Sequence, residues 1–128
     1  MIRKHLVRSL VSLSIVFMVG ACSVQPEEQS ISGVIEHSLQ EMVNESVIMS
    51  SSNPNDYIAG SPEAYGLILN TGEEGLNVLL QKLESSSDNG LREWIMAQAS
   101  TELLGERNSV NEWNSGKDWL RQYKMSEE

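Results

Sequence analysis

The sequence predicts an all-α domain, and three observations carry that expectation. Apolar residues recur at three- and four-residue intervals over most of the chain after residue 30. Clusters of serine, asparagine, glycine and proline cut this pattern into short lengths. Capping residues stand at the ends of those lengths. The expected architecture is a small irregular bundle of about five helices over residues 31–128. A HEAT-like stack and a plain bundle both fit the pattern, and no repeat is legible that would separate them.

The elements follow in order. In residues 31–50, Ile31, Val34, Ile35, Leu39, Met42 and Val43 fall on one helical face, with Ser30 or Ser32 as cap. Val47-Ile48-Met49 fits a helix end or an extended stretch. Ser50 to Asn55 is a cluster of breakers, and the spacing predicts a loop from Asn53 to Gly60, with Tyr57 and Ile58 packing behind it. Ser61-Pro62-Glu63 opens a second helix: a capping serine, a proline at the first helical position, an acid in the first turn. Its inward residues are Tyr65, Ile68 and Leu69. Thr71-Gly72-Glu73-Glu74 has the spacing of a capping box and opens a third helix, whose stripe is Leu76, Leu79, Leu80 and Leu83. After the turn Ser85 to Gly90 comes a fourth, with Leu91, Trp94, Ile95, Ala99 and Leu103 inward and Gly105 as terminator. The short link makes the third and fourth helices an antiparallel hairpin. Glu106 to Asn114 reads as a polar loop punctuated by Val110 and Trp113. Ser115 starts a last helix carrying Trp119, Leu120 and Tyr123, and residues 125–128 are expected to fray.

The N-terminus has a different character. Arg3, Lys4 and Arg8 precede an apolar run, Leu10 to Val19, that is too short for a bilayer span of about 20 residues. The run ends in Val19-Gly20-Ala21-Cys22, which resembles the lipobox of bacterial lipoproteins. The resemblance implies cleavage between Ala21 and Cys22 and acylation of the Cys22 thiol. Residues 1–21 would then be a signal peptide and 22–30 a lipidated N-terminus with a flexible tether. Cleavage after Ala21 by the general signal peptidase, or an uncleaved anchor, are the alternatives. Cys22 is the only cysteine, so it has no disulfide partner. Each buried acyl methylene contributes about 0.8 kcal/mol, so two or three chains anchor firmly. Residues 23–30 span roughly 26–29 Å when fully extended, which keeps the domain near the lipid bilayer. The expected place is the extracytoplasmic face of a cell membrane, on a Gram-positive surface in preference to a periplasm.

Three of the nine basic residues precede Cys22, and none of the 18 acidic residues does. The mature chain therefore has a formal charge of −12 and should repel nucleic acid and anionic headgroups. That acidity serves solubility or a cationic partner. About 95 residues remain for one small domain, held by its apolar core.

Asn53-Pro54-Asn55-Asp56-Tyr57-Ile58, Asn89 to Ala97 and Trp113-Asn114-Ser115-Gly116-Lys117-Asp118-Trp119 together resemble a pattern in small uncharacterised proteins of Gram-positive bacteria, many of them lipoproteins. The resemblance covers Asn53 to Tyr123. It implies a helical fold and transfers no catalytic residue.

Motifs that would carry catalysis are sparse. His37 is the one histidine after Cys22; with Glu41 it forms a weak metal pair, and a solvated histidine beside a carboxylate is the simpler reading. No G-x-S-x-G elbow occurs. Gly72-Glu73-Glu74-Gly75 is too acidic to cradle phosphate, and Asn53 to Gly60 lacks the alternation of a calcium loop. No cofactor or metal is expected, and no catalytic residue is assigned. Paired carboxylates, Glu73 with Glu74 or Glu102 with Glu106, keep a small envelope hydrolase open as the alternative. The leading expectation is a non-enzymatic, membrane-tethered binding or accessory domain. Its partners are the bilayer, through acylated Cys22, and a protein or other envelope ligand. The candidate binding residues are Tyr57 and Trp113, each in a segment read as a polar loop. Trp94 and Trp119 are expected in the core, with the N–H of each finding a polar partner.

Overall fold

Ser30 shows how the chain enters its first helix. Its hydroxyl accepts from the Gly33 N–H at 3.1 Å, and its carbonyl accepts from the Val34 N–H. In this computed structural model, which describes residues 30–44 and 50–128, Ser30 thus caps α1 (Ile31–Asn44). The residues before 30, with Ala21 and Cys22 among them, and Val47-Ile48-Met49 lie outside the described residues. The remaining helices are α2 (Pro54–Gly60), α3 (Pro62–Leu69), α4 (Gly72–Ser85), α5 (Leu91–Leu104) and α6 (Gly116–Ser126), with a short 3-10 turn at Gly105–Arg107. No strand occurs among the described residues, and no described helix is long and apolar enough to cross a membrane. The architecture is the expected small helical bundle.

α2 replaces the expected loop at 53–60. Asn53 accepts from the Asn55 N–H at 3.1 Å and Pro54 occupies the first turn. The same residues that break a helix on its C-terminal side start one on its N-terminal side. Seven residues are too few to show a helical period, so only the breaker signal was legible. Two caps also differ from expectation. Ser61 precedes α3, but its hydroxyl makes no capping bond and is buried without a partner among the described residues. Thr71 adopts helical angles, and its hydroxyl donates back to the Ile68 carbonyl. Thr71 still stands at the start of α4, where its carbonyl accepts from the Gly75 N–H, but its hydroxyl is turned to α3, so no capping box forms there.

α5 is the hub. It packs against each of the other five helices, most extensively against α4. The short connection Ser86 to Gly90 folds it back on α4, as the hairpin expectation required. A hub is buried on several sides at once, so a single stripe could not describe it. Ile95, Met96, Ala97, Ala99, Ser100 and Leu104 are buried, whereas Leu91, Trp94 and Leu103 are only partly so. Ala97, Ala99 and Ser100 are small enough to admit close neighbours, and the Ser100 hydroxyl donates to the Met96 carbonyl at 2.8 Å. On α4, Leu76, Leu79 and Leu83 are buried and Leu80 lies at the margin. The core adds Ile35, Leu39 and Met42 of α1 and Trp119 of α6. The Trp119 indole N–H has no partner among the described residues, contrary to expectation. Its ring stacks on Tyr123 with centroids 5.2 Å apart. α6 runs to Ser126, two residues into the stretch expected to fray.

Glu36 ties α1 to the hairpin, accepting from Lys82 of α4 at 3.1 Å and from Arg92 of α5. Those two bonds hold its carboxyl below the ordinary range.

Candidate functional site

The N-terminal end of α5 is where the three quoted segments meet. The crossing of α5 and α6 is set by Gly116: a β-carbon there would lie 2.2 Å from the Glu93 carbonyl oxygen. Only glycine lets the two backbones approach so closely. Around this crossing the polar groups interlock. Asn89 accepts from the Lys117 N–H at 3.1 Å and donates to the Ser115 hydroxyl at 3.0 Å. Ser115 also caps α6, accepting from the Asp118 N–H at 3.2 Å. The Lys117 ammonium donates to the carbonyls of Leu83 and Ser86, at the C-terminal end of α4 where helical carbonyls lack partners. Glu93 is 3 % exposed and closes the clasp from inside. It accepts from the Gly90 N–H at 2.9 Å and the Ser86 hydroxyl at 2.7 Å. Burial pushes its carboxyl up, but these bonds, its own N–H and the Arg92 charge together bring it below the ordinary value.

Two hollows open beside the clasp. The first has a volume of about 300 Å³ and is walled by Pro54 and Tyr57 of α2, by Leu91 and Trp94 of α5, and by the hydroxyls and amides of Ser51, Ser52, Asn89, Asn114 and Ser115. Tyr57 is buried, 5 % exposed, and its hydroxyl donates to the Ser51 carbonyl at 3.1 Å. It belongs to the core and holds the 51–52 segment in place; it packs behind its segment as expected, but from a helix where a loop was expected. The second hollow is larger, about 760 Å³, and more open. Trp94, Gln98, Asn111, Glu112, Trp113, Asn114, Asp118, Arg121 and Gln122 surround it. Trp94 and Asn114 line both hollows.

Trp94 and Trp113 form one aromatic pair, with centroids 5.1 Å apart and planes tilted by 38°. Both are partly buried and packed on the core. The expected contrast, a core Trp94 and a free Trp113, is therefore replaced by a shared packing unit at the surface. Trp113 lies in a stretch without helical period, and only its contact with α5 explains its burial.

Ionisable groups are unevenly placed. The first hollow has no acid or base in its lining. In the second, Asp118 accepts from the Asn114 N–H at 3.0 Å and from Arg121. The Asn114 bond first, then those of Gln122 and Arg121, hold its carboxyl below the ordinary range. A carboxylate so held stays ionised and is unsuited to donate a proton. The acid pairs singled out from the sequence line neither hollow: Glu73 pairs with Arg107, and Glu102 accepts from the Tyr65 hydroxyl at 2.9 Å. Burial and that bond push the Tyr65 hydroxyl far up. His37 and Glu41 are exposed on α1, and no cluster of three or more metal-ligating side chains occurs among the described residues.

The six basic residues after Cys22 are all engaged: Lys82 and Arg92 with Glu36, Arg107 with Glu73, Arg121 with Asp118, Lys124 with Glu84, and Lys117 with carbonyls. By contrast, the carboxamides of Asn111 and Asn114 bond to no other described residue. Asn111, Asn114 and Ser52 were not among the expected binding residues. Asn114 does stand in a quoted segment, but only the fold brings it beside Trp94.

Comparison of the chain with protein-family models, curated proteins and solved structures finds no match.

Proposed function

We propose that the chain is a membrane-tethered binding domain of the bacterial cell envelope, anchored by acylated Cys22 and taking its ligand in the paired hollows at the N-terminal end of α5. The observation that carries the binding half is the make-up of the first hollow. An indole and the apolar Pro54 and Leu91 share it with hydroxyl and amide groups, of which those of Ser52 and Asn114 are free among the described residues, and with no carboxylate or basic side chain. Pockets of this size that bind small ligands combine an apolar wall with a few convergent polar groups. An acid pair working on a glycosidic bond needs two carboxylates facing one gap. In the second hollow Asp118 is committed to Asn114 and Arg121, which leaves Glu112 without such a partner. The anchoring half rests on Val19-Gly20-Ala21-Cys22. Mass spectrometry of the N-terminus tests it: diacylglycerol on Cys22 supports the anchor, and a free Cys22 thiol at a mature N-terminus removes it.

Site-specific photocrosslinking in the native envelope tests the binding half. A photoreactive residue at position 114 should capture a discrete envelope component. One at Glu63, exposed on α3 and lining neither hollow, should not. Equal capture from both positions, or none from 114, would sink the reading.

A further inference from the structure

We infer that the two hollows form one groove for a neutral glycan, with a sugar ring in each and the Trp94–Trp113 pair between them; this rests on the binding reading above. The first support is continuity. Trp94 and Asn114 belong to both linings, so the two hollows adjoin, and a ligand longer than one ring would reach from one into the other. The second is functional-group match. A sugar hydroxyl both donates and accepts, and a carboxamide offers both partners in one plane. Asn111 and Asn114 have theirs free, and Ser52 adds a hydroxyl at the far end of the first hollow. Indole rings give an amphipathic ligand an apolar surface, at low cost in side-chain entropy.

Charge and shape then argue against charged ligands and against strand or helix peptides. An anionic ligand meets a domain whose six cations are all committed, in a chain that carries a formal charge of −12 after Cys22. A cation finds no carboxylate in the first hollow; in the second it meets Asp118, already paired with Arg121, and the single exposed carboxylate of Glu112. A peptide strand would require an exposed sheet edge, and an amphipathic helix would require a continuous apolar groove. Here there is no strand among the described residues, and amides and hydroxyls interrupt the apolar walls.

The groove is also held rigid. The Gly116 crossing and the Asn89–Ser115–Lys117 bonds fix both walls before any ligand arrives, which lowers the ordering cost of binding.

The test is titration of the purified full-length chain in detergent with chitotetraose, cellotetraose and maltotetraose, read by tryptophan fluorescence and by calorimetry. Tetragalacturonic acid and tetralysine serve as charged counterparts. The expected result is saturable binding of at least one neutral tetrasaccharide, unchanged between low and high salt. Its monosaccharide should bind at least about tenfold more weakly. Asn114→Ala and Asn111→Ala alter exposed carboxamides that hold nothing else in the fold. Each should weaken the tetrasaccharide about tenfold with an unchanged circular dichroism spectrum. Equal affinity for monosaccharide and tetrasaccharide would overturn the two-ring groove. Tighter binding of either charged probe, or no saturation by any neutral sugar, would overturn the glycan assignment. If crosslinking from position 114 still captures an envelope component, that second failure leaves the binding reading standing. If it captures none, the binding reading falls as well.

Discussion

The two ends of α5 solve the same problem in opposite ways. At the N-terminal end, α6 crosses so closely that Gly116 has no space for a side chain, and a buried carboxylate, Glu93, joins the turn to the helix. At the C-terminal end the chain turns away through Gly105, and what ties it is the Arg107–Glu73 pair at 2.8 Å, exposed to solvent on both sides. One end depends on steric fit and buried hydrogen bonds; the other depends on a backbone conformation and a screened ion pair. The hollows lie at the first end. Binding residues gain most from a frame that stays fixed when water or salt changes, and buried contacts provide that better than surface charge.

Substitutions at the two ends should separate these cases. Gly116→Ala is expected to be the most damaging. Its methyl would meet backbone atoms of Glu93, which cannot move aside as a flexible side chain can. A cost of about 3 kcal/mol, the upper end for overpacking, is expected in chemical denaturation. A loss below about 1 kcal/mol would show that α5 and α6 are not so tightly joined. Gly105→Ala should cost less, about 2 kcal/mol. Nothing lies within 4 Å of the new methyl, so the cost is the strain of φ +55° alone.

Glu93→Ala should cost about 1–2 kcal/mol, as for a lost helix cap. Acid should reproduce part of this. The folded-state pKa of Glu93 is lowered, so its contribution is fully present above the ordinary value of 4.5 and is lost as pH falls through the lowered one. Melting curves from pH 7 to pH 3 should therefore fall less steeply for Glu93→Gln than for the parent. Identical slopes would mean that the carboxylate is not the acid-sensitive group at this end.

The smallest effect is expected at the Arg107–Glu73 pair. Arg107→Ala should leave the melting temperature unchanged within error at physiological salt, since both partners are solvated. A marked loss there would erase the distinction between the two ends.

The expectations that failed did so where one residue type has two uses. Asn53-Pro54 breaks one helix and starts another, and direction along the chain is not legible in a cluster of breakers. Thr71 and Glu74 have capping-box spacing, yet the Thr71 hydroxyl serves the helix before it. Trp94 and Trp113 could not be divided into core and surface because each is the other's neighbour across 19 positions of sequence. Of the expected binding residues, Tyr57 lines the first hollow and Trp113 the second. The groups free to bind, Asn111, Asn114 and Ser52, carried no signal, since an unengaged amide is identified only by its surroundings.

The sequence by itself determined the all-helical class, most of the inward faces of α1 and α4, a serine cap at 30 or 32, the Ser115 cap and the glycine stop at 105. All of these depend on residues within a turn or two of one another, so periodicity and capping chemistry reach them directly. Tertiary structure decided that α5 is surrounded by five helices, that Gly116 admits α6 against Glu93, and that three separated segments meet around Trp94. These depend on which surfaces come together, and that is set by the joint packing of the six described helices on one small core, where no local pattern records the choice of neighbour.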